Sequence, residues 1–357
     1  MKKARLDYLD FAKCITIFLV IWGHTTPNGS TVPYRVALYA FHMPLFFLVS
    51  GMVISRHQHE YDKAHWKNFL FKNVMALLVP YLIWGAIYSN FTYRSFVKLF
   101  YGSWEMLNKA ETLTSLWYLP CLFVARALAE LMLMLSRKIK SVQRHLFGFI
   151  ISILFFALGF LLPRIEIGYP LCLNVAFAAL GFIMLGYAIK NLVARLPKKN
   201  AWAYLAAAAA FGALFFLGQR MQGDSPYLVM MCKAQYGNIP VFLFNAFSGI
   251  GLVISFSLFL TVLFRNNPDN KARAFMLWTG ENTIGIYFLH KPFLQEVVMP
   301  TLERMGATLP NAWWGLLGSV VAFIFSAAGC CLINRYVPSL FGRFRTVNAS
   351  PAAEQKQ

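Results

Sequence analysis

The sequence predicts an all-α fold: a polytopic transmembrane helix bundle of about ten spans with both termini in the cytoplasm. Three observations carry that prediction. Of the 357 residues, 58% are hydrophobic and only 13% charged, about half the ~25% charged content of a typical soluble domain. The charge is also segregated, so that long apolar runs alternate with short polar ones, and each run approaches the ~20 residues needed to cross the hydrocarbon core. Finally, Lys and Arg are unevenly placed: counted loop by loop, 22 of the 33 fall on one side and eight on the other. That excess marks the cytoplasmic face.

In chain order the spans are expected at 10–27, 36–55, 70–90, 114–135, 146–163, 170–190, 201–218, 239–264, 277–298 and 312–334. The first holds Asp10, Lys13 and His24 and lacks a small-residue cleavage site, so it reads as a true span and not as a signal peptide. The loop Pro27–Pro33 is short, which makes the second span an antiparallel neighbour of the first. The third opens behind Lys67 and Lys72. The fourth begins at Trp117 and Tyr118, whose simplest role is an aromatic interface belt. It continues through Arg126 and Glu130, four residues apart and read as an ion pair on one helix face. The fifth, sixth, eighth and tenth are long apolar runs. The seventh contains Ala206–Ala210, small residues suited to close helix packing. The ninth carries His290 and Lys291. Residues 1–345 form one membrane domain, since the longest outer loops (91–113 and 219–238) are too short for separate domains. The polar segment 346–357 reads as a disordered cytoplasmic tail.

The formal charge of +19 is mainly this topology signal, with some attraction to anionic lipid headgroups. No nucleic-acid-binding signature accompanies it. The six cysteines show no ligand spacing. Cys14, Cys121, Cys172, Cys330 and Cys331 fall in apolar spans, where free cysteine behaves as a small hydrophobe, and Cys232 falls in an outer loop. No disulfide framework follows.

Ionisable groups inside a bilayer are costly and are functional candidates by default. His57, His59, His65 and His145 fall in cytoplasmic loops; His24, His42 and His290 fall within spans, all in the outer half. On the first span Lys13 and His24 are eleven residues apart, three helical turns with a residual of roughly 20°, and His24 stands about 16 Å above Lys13. Asp10 lies on nearly the same stripe. Such a stripe faces protein or an aqueous cavity, not lipid, and is expected to line one enclosed cavity linking the two faces of the membrane. A neutral imidazole at His24 can serve as a base near neutral pH. No metal site is expected, because no histidine pair has i, i+4 spacing on one helix; the loop cluster His57, His59, Glu60, Asp62 and His65 reads as solvated. Lys67 and Lys72, at the level of Lys13, could hold phosphates.

The segments YLDFAKCITIFLVIWGH (8–24), FHMPLFFLVSG (41–51), LLVPYLIWG (77–85), SLWYLPCLF (115–123) and GENTIGIYFLH (280–290) resemble, in order, acyltransferase family 3 of membrane proteins, and within it the fucose 4-O-acetylase-like group. The resemblance implies a ten-helix O-acyltransferase of the inner (plasma) membrane. Such an enzyme takes an acyl group, usually acetyl from cytoplasmic acetyl-CoA, and delivers it to a hydroxyl of an extracytoplasmic carbohydrate. It further implies that Lys13 and His24 occupy the family's basic-residue and histidine positions. Asp10, Lys13, Lys67 and Lys72 would then contact the donor. His24 would act on the acceptor hydroxyl or carry the acyl group, and His42, Trp117, Tyr118 and His290 would line the acceptor side. The rival readings from the same spans are a proton-coupled transporter or flippase for an envelope precursor, and a non-catalytic envelope scaffold. Against the transporter stands the lack of an internal repeat between the halves.

Overall fold

The computed structural model describes residues 6–26, 30–54, 63–109, 111–136, 141–196, 200–223, 226–307 and 311–343. His57, His59, Glu60, Asp62 and the tail 346–357 lie outside them. Among the described residues every regular element is helical, apart from one isolated β-bridge between Met230 and Gln235. The chain runs through α1 (Asp7–Gly23), α2 (Pro33–Tyr39), α3 (His42–Met52) and α4 (Lys63–Asn73). A π-helical turn (Val74–Leu78) leads into α5 (Val79–Tyr88). Then come α6 (Tyr93–Tyr101), α7 (Trp104–Leu107), a 3₁₀ turn (Glu111–Trp117), α8 (Tyr118–Leu135), α9 (Ser141–Leu161), α10 (Leu173–Ala194), α11 (Ala201–Arg220) and α12 (Ile239–Leu263). The last part is α13 (Lys271–Glu281), α14 (Thr283–Pro292), a second π turn (Phe293–Val298), α15 (Met299–Arg304) and α16 (Ala312–Tyr336). The all-α fold class is as the apolar runs predict.

Local chemistry sets these boundaries. Asn200, Asn238, Asn270 and Asn311 cap the N-termini of α11, α12, α13 and α16, each accepting from a first-turn N–H that has no intrahelical partner. The two π turns each run into a proline at the start of the next segment, Pro80 in α5 and Pro300 in α15. A proline has no N–H to give, and the ladder widens to pass it.

Among the described residues seven helices are long and apolar enough to span a membrane: 33–52, 64–88, 113–135, 170–194, 201–220, 239–263 and 312–336. The other three expected spans differ for visible reasons. α1 is short and carries Asp7, Asp10 and Lys13. The fifth narrows to an apolar stretch at His145–Leu161. The ninth is broken: α13 ends at Glu281, Asn282 adopts φ −107°, ψ 15°, and α14 restarts at Thr283. The Asn282 amide donates to the Trp278 carbonyl (2.7 Å), and Asn334 on α16 donates to the Asn282 side-chain oxygen (2.7 Å). These bonds make an interruption tolerable at membrane depth.

α1 runs through the middle of the bundle, packed against α3, α12, α13, α14 and α16, with Phe11, Ile17 and Ile21 fully buried. α9 and α11 are peripheral and present Ile150, Ile153, Leu161, Trp202, Phe216 and Leu217 outward, as lipid-facing helices do.

Candidate active site

α1 brings its polar stripe to two cavities. Lys13 and Ile17 line one, and Val20 and His24 line the other. These residues follow one another at intervals of four, three and four, a single helix face. The stripe therefore points into the protein as its periodicity predicts, although it meets two cavities and not a single continuous one.

The cavity at the His24 end, termed outer after the topology expected from the sequence (the one at the Lys13 end being inner), has a volume of about 360 Å³. His24 stands on it as the C-cap of α1, half-buried. Behind it lies His290, fully buried, with the two imidazole centroids 5.4 Å apart. Tyr39 bridges to His42, its ring centroid 6.2 Å from His24 and 5.0 Å from His42. So α1, the kink between α2 and α3, and α14 converge their three intramembrane histidines on one place. Two of them are oriented by the backbone. His42 Nδ1 lies 2.6 Å from the Leu38 carbonyl and His290 Nδ1 bonds to the Tyr287 carbonyl. A carbonyl only accepts, so each Nδ1 carries a proton, and in the neutral imidazole each Nε2 then keeps its lone pair. Among the described residues the His24 ring has no such tie to the backbone.

Two further segments line this cavity. α7 contributes Trp104, and the 226–238 segment contributes Val229 to Lys233. The Lys233 ammonium sits 4.4 Å from the Trp104 ring centroid and joins the two segments. Cys232 also lines the cavity, but burial pushes its thiol up to about 12. That disfavours the thiolate, which is the form that attacks.

The inner cavity, about 230 Å³, is lined by Lys13, Arg126 and Glu281 among largely apolar walls from α3, α8 and α14. The break at Asn282 turns the start of α14 toward it, so Thr283 and Ile284 at the positive end of that helix form part of its wall. Gly280 makes the crossing possible: a Cβ there would lie 2.3 Å from the Asp10 carbonyl oxygen. Met43 and Tyr287 line both cavities and form the partition between them.

The structure brings Lys13, His24, His42, Trp117, Tyr118 and His290 into this system, with three corrections. Trp117 and Tyr118 are buried and form no interface belt; Trp117 lines the outer cavity, and Tyr118 lines the inner one, where its ring packs on Tyr287 at 5.6 Å. Arg126 and Glu130 are not an ion pair. His65 reaches across from α4 to Glu130 (2.9 Å), and Arg126 faces the inner cavity. Lys67 and Lys72 are exposed on α4 and line neither cavity. Asp10 is buried and holds Lys13 through a 2.6 Å ion pair. Arg35, which falls between the expected spans 10–27 and 36–55, is almost fully buried and lines the outer cavity, 4.9 Å from the Tyr39 ring centroid. Its position two residues after Pro33, a favoured helix start, is the signal that could have found it. Tyr39, Met43 and Tyr287 carried no charge to flag them. Among the described residues no group of three or more His, Cys, Asp or Glu side chains is arranged as a metal site.

An all-α, multi-pass membrane protein whose three intramembrane histidines gather at one of two neighbouring cavities defines the class. The chain belongs to acyltransferase family 3: that family's acyltransferase domain model matches residues 6–334, nearly the whole sequence. It is also similar to nodulation protein NolL of Sinorhizobium fredii (strain NBRC 101917 / NGR234), 35% identical over 86 residues, which are 22% of this chain and 23% of NolL. The match thus spans about a quarter of that relative's length.

Proposed function

We propose that the protein is a membrane O-acyltransferase that takes an acetyl group from cytoplasmic acyl-CoA and places it on a hydroxyl of an extracytoplasmic, envelope carbohydrate. It would do so in the plasma (inner) membrane, with both termini in the cytoplasm and about ten membrane segments. The observation that carries this reading is the pair of cavities strung along one face of α1 and meeting at Met43 and Tyr287. Such an arrangement lets two substrates arrive from opposite sides of the membrane. The likeness of several segments to fucose 4-O-acetylase-like proteins supports a sugar hydroxyl as acceptor.

The donor's acyl-bearing arm enters from the inner side. A cavity of about 230 Å³ is smaller than the ~300–1,000 Å³ of drug-sized ligand pockets, so it takes the arm and leaves the nucleotide at the cytoplasmic mouth. Lys13 and Arg126 supply positive charge along that route. On the outer side the acceptor lies among His24, His42 and Trp117, with His290 behind His24. A neutral His24 ring nitrogen accepts the proton of the acceptor hydroxyl as its oxygen attacks the thioester carbonyl. The new C–O bond forms and the C–S bond breaks. The departing thiolate then takes the proton from His24 and leaves as CoA thiol. The other route, acyl transfer first to His24, is distinguished by label retained on the enzyme when acceptor is withheld.

The test uses protein purified in detergent, where no gradient exists, with unacetylated envelope glycans from a deletion strain as acceptor. Acceptor-dependent release of free CoA thiol is the expected result. A transporter or flippase would release none, and that outcome would sink the proposal. The donor assignment makes a second prediction. Replacing Lys13 or Arg126 with alanine should raise KM for acyl-CoA by about 10–100-fold, the cost of one charge-assisted hydrogen bond, with far less change for the acceptor. Lys13→Arg should retain donor use, because it keeps the charge beside Asp10. Equal losses for donor and acceptor would speak against a donor-side role.

A further inference from the structure

We propose that Met43 and Tyr287 form a neck that selects the donor by acyl size, admitting an acetyl group to His24 and holding back longer chains; this rests on the acyltransferase reading above. Among the described residues these two are the ones shared by the walls of both cavities. Lys13 and Ile17 lie on the inner side of the neck, and Val20 and His24 lie on the outer side. A thioester arriving from the inner cavity presents its acyl group first, at the leading end of the arm. Whatever passes between Met43 and Tyr287 is therefore the acyl chain.

The two sides of the neck differ in stiffness. The Tyr287 hydroxyl donates to the Ser115 carbonyl, and its ring is wedged between Tyr118 and His290, with centroids 5.6 and 5.5 Å away. This wall is fixed. Met43 is also buried, but it is unbranched and rotates about several bonds. Its backbone cannot retreat: it stands between His42, anchored to the Leu38 carbonyl, and Pro44. The width of the passage thus depends on the Met43 side chain, and the residue at position 43 sets the donor range. One extra methylene in an apolar constriction changes specificity by roughly 10–200-fold, which makes a side-chain exchange at this point readable.

The experiment measures kcat/KM of the purified full-length protein with acetyl-, propionyl-, butyryl- and hexanoyl-CoA. The acceptor is the unacetylated envelope glycan fraction of a deletion strain. The wild type should prefer acetyl-CoA by about tenfold or more for each added methylene. Met43→Ala should raise the butyryl-to-acetyl ratio by about tenfold or more, and Met43→Phe should lower the propionyl-to-acetyl ratio. Met43→Val gives the same reading as Met43→Ala, in smaller degree, should the alanine variant not accumulate. Ratios that stay within about twofold of wild type in folded Met43 variants overturn the neck. A wild type that consumes no acyl-CoA of any length overturns the acyltransferase reading itself, whereas brisk acetyl-CoA turnover with unmoved ratios defeats the neck alone.

Discussion

Replacing His24 with alanine is expected to lower acceptor-dependent release of CoA by about 10²–10⁴-fold, the usual contribution of a positioned general base, while membrane insertion and donor binding persist. The backbone at this position does not depend on the side chain. The His24 N–H closes the end of α1 on the Ile21 carbonyl at 3.0 Å, and the half-exposed ring faces the cavity, so truncation leaves the helix end in place. The competing candidate is His42, whose ring also lines the outer cavity and whose Nε2 keeps its lone pair. The paired measurement of His24→Ala and His42→Ala separates them. Full activity in the first variant, with loss in the second, would move the base to α3 and remove His24 from the chemistry. Loss of both donor binding and turnover in His24→Ala would instead point to damage of the bundle.

How much of this site was legible in the sequence depended on the range of the interactions involved. Lys13 and His24 share a face because eleven residues make three helical turns, a local rule that tertiary packing did not override. The same local reasoning failed at Arg126 and Glu130. Their four-residue spacing allows a pair, but His65 arrives from another helix and takes the carboxylate. The break at Asn282 falls in the polar stretch Thr279–Thr283, a local signal that a span drawn on average hydropathy passes over, whereas the amide of Asn334 that helps to hold it lies 52 residues downstream. Arg35 is hidden for another local reason: α2 begins at Pro33, inside what the hydropathy pattern assigns to a connection. The neck was invisible for a different reason. Met43 and Tyr287 are ordinary core residues by composition, and only the meeting of α3 with α14 gives them a role.

The largest loss of stability is expected from a side chain added where α3 crosses α10, for example Gly186→Val. The two helices approach through reciprocal glycines. A Cβ on Gly186 would lie 2.1 Å from the Leu48 carbonyl oxygen, and a Cβ on Gly51 would lie 1.9 Å from the Ile183 carbonyl oxygen. Both collisions are with backbone, so no rotamer change relieves them and the helices must separate. Ordinary core overpacking costs about 1–3 kcal/mol, and forced separation of two backbones should cost at least the upper end of that range. In a bilayer the consequence is sharper than in water, because lipid is as apolar as the side chains and helix association rests on close packing. Thermal unfolding in detergent should show Gly186→Val as strongly destabilised or not recoverable as a monodisperse species. Gly212→Ala on α11 is the control: its nearest neighbour would be 3.8 Å from the new Cβ, and exchange of glycine for alanine within a helix should be neutral or stabilise by up to ~1 kcal/mol. The prediction also bears on function, since α3 carries His42 and Met43 at its outer end. A partly folded Gly186→Ala variant should lose acetyl selectivity along with stability, because the crossing that fixes α3 also fixes where Met43 stands opposite Tyr287. Wild-type unfolding temperatures in both glycine variants at this crossing would mean that α3 and α10 do not meet as described, and the position of the neck would fall with them.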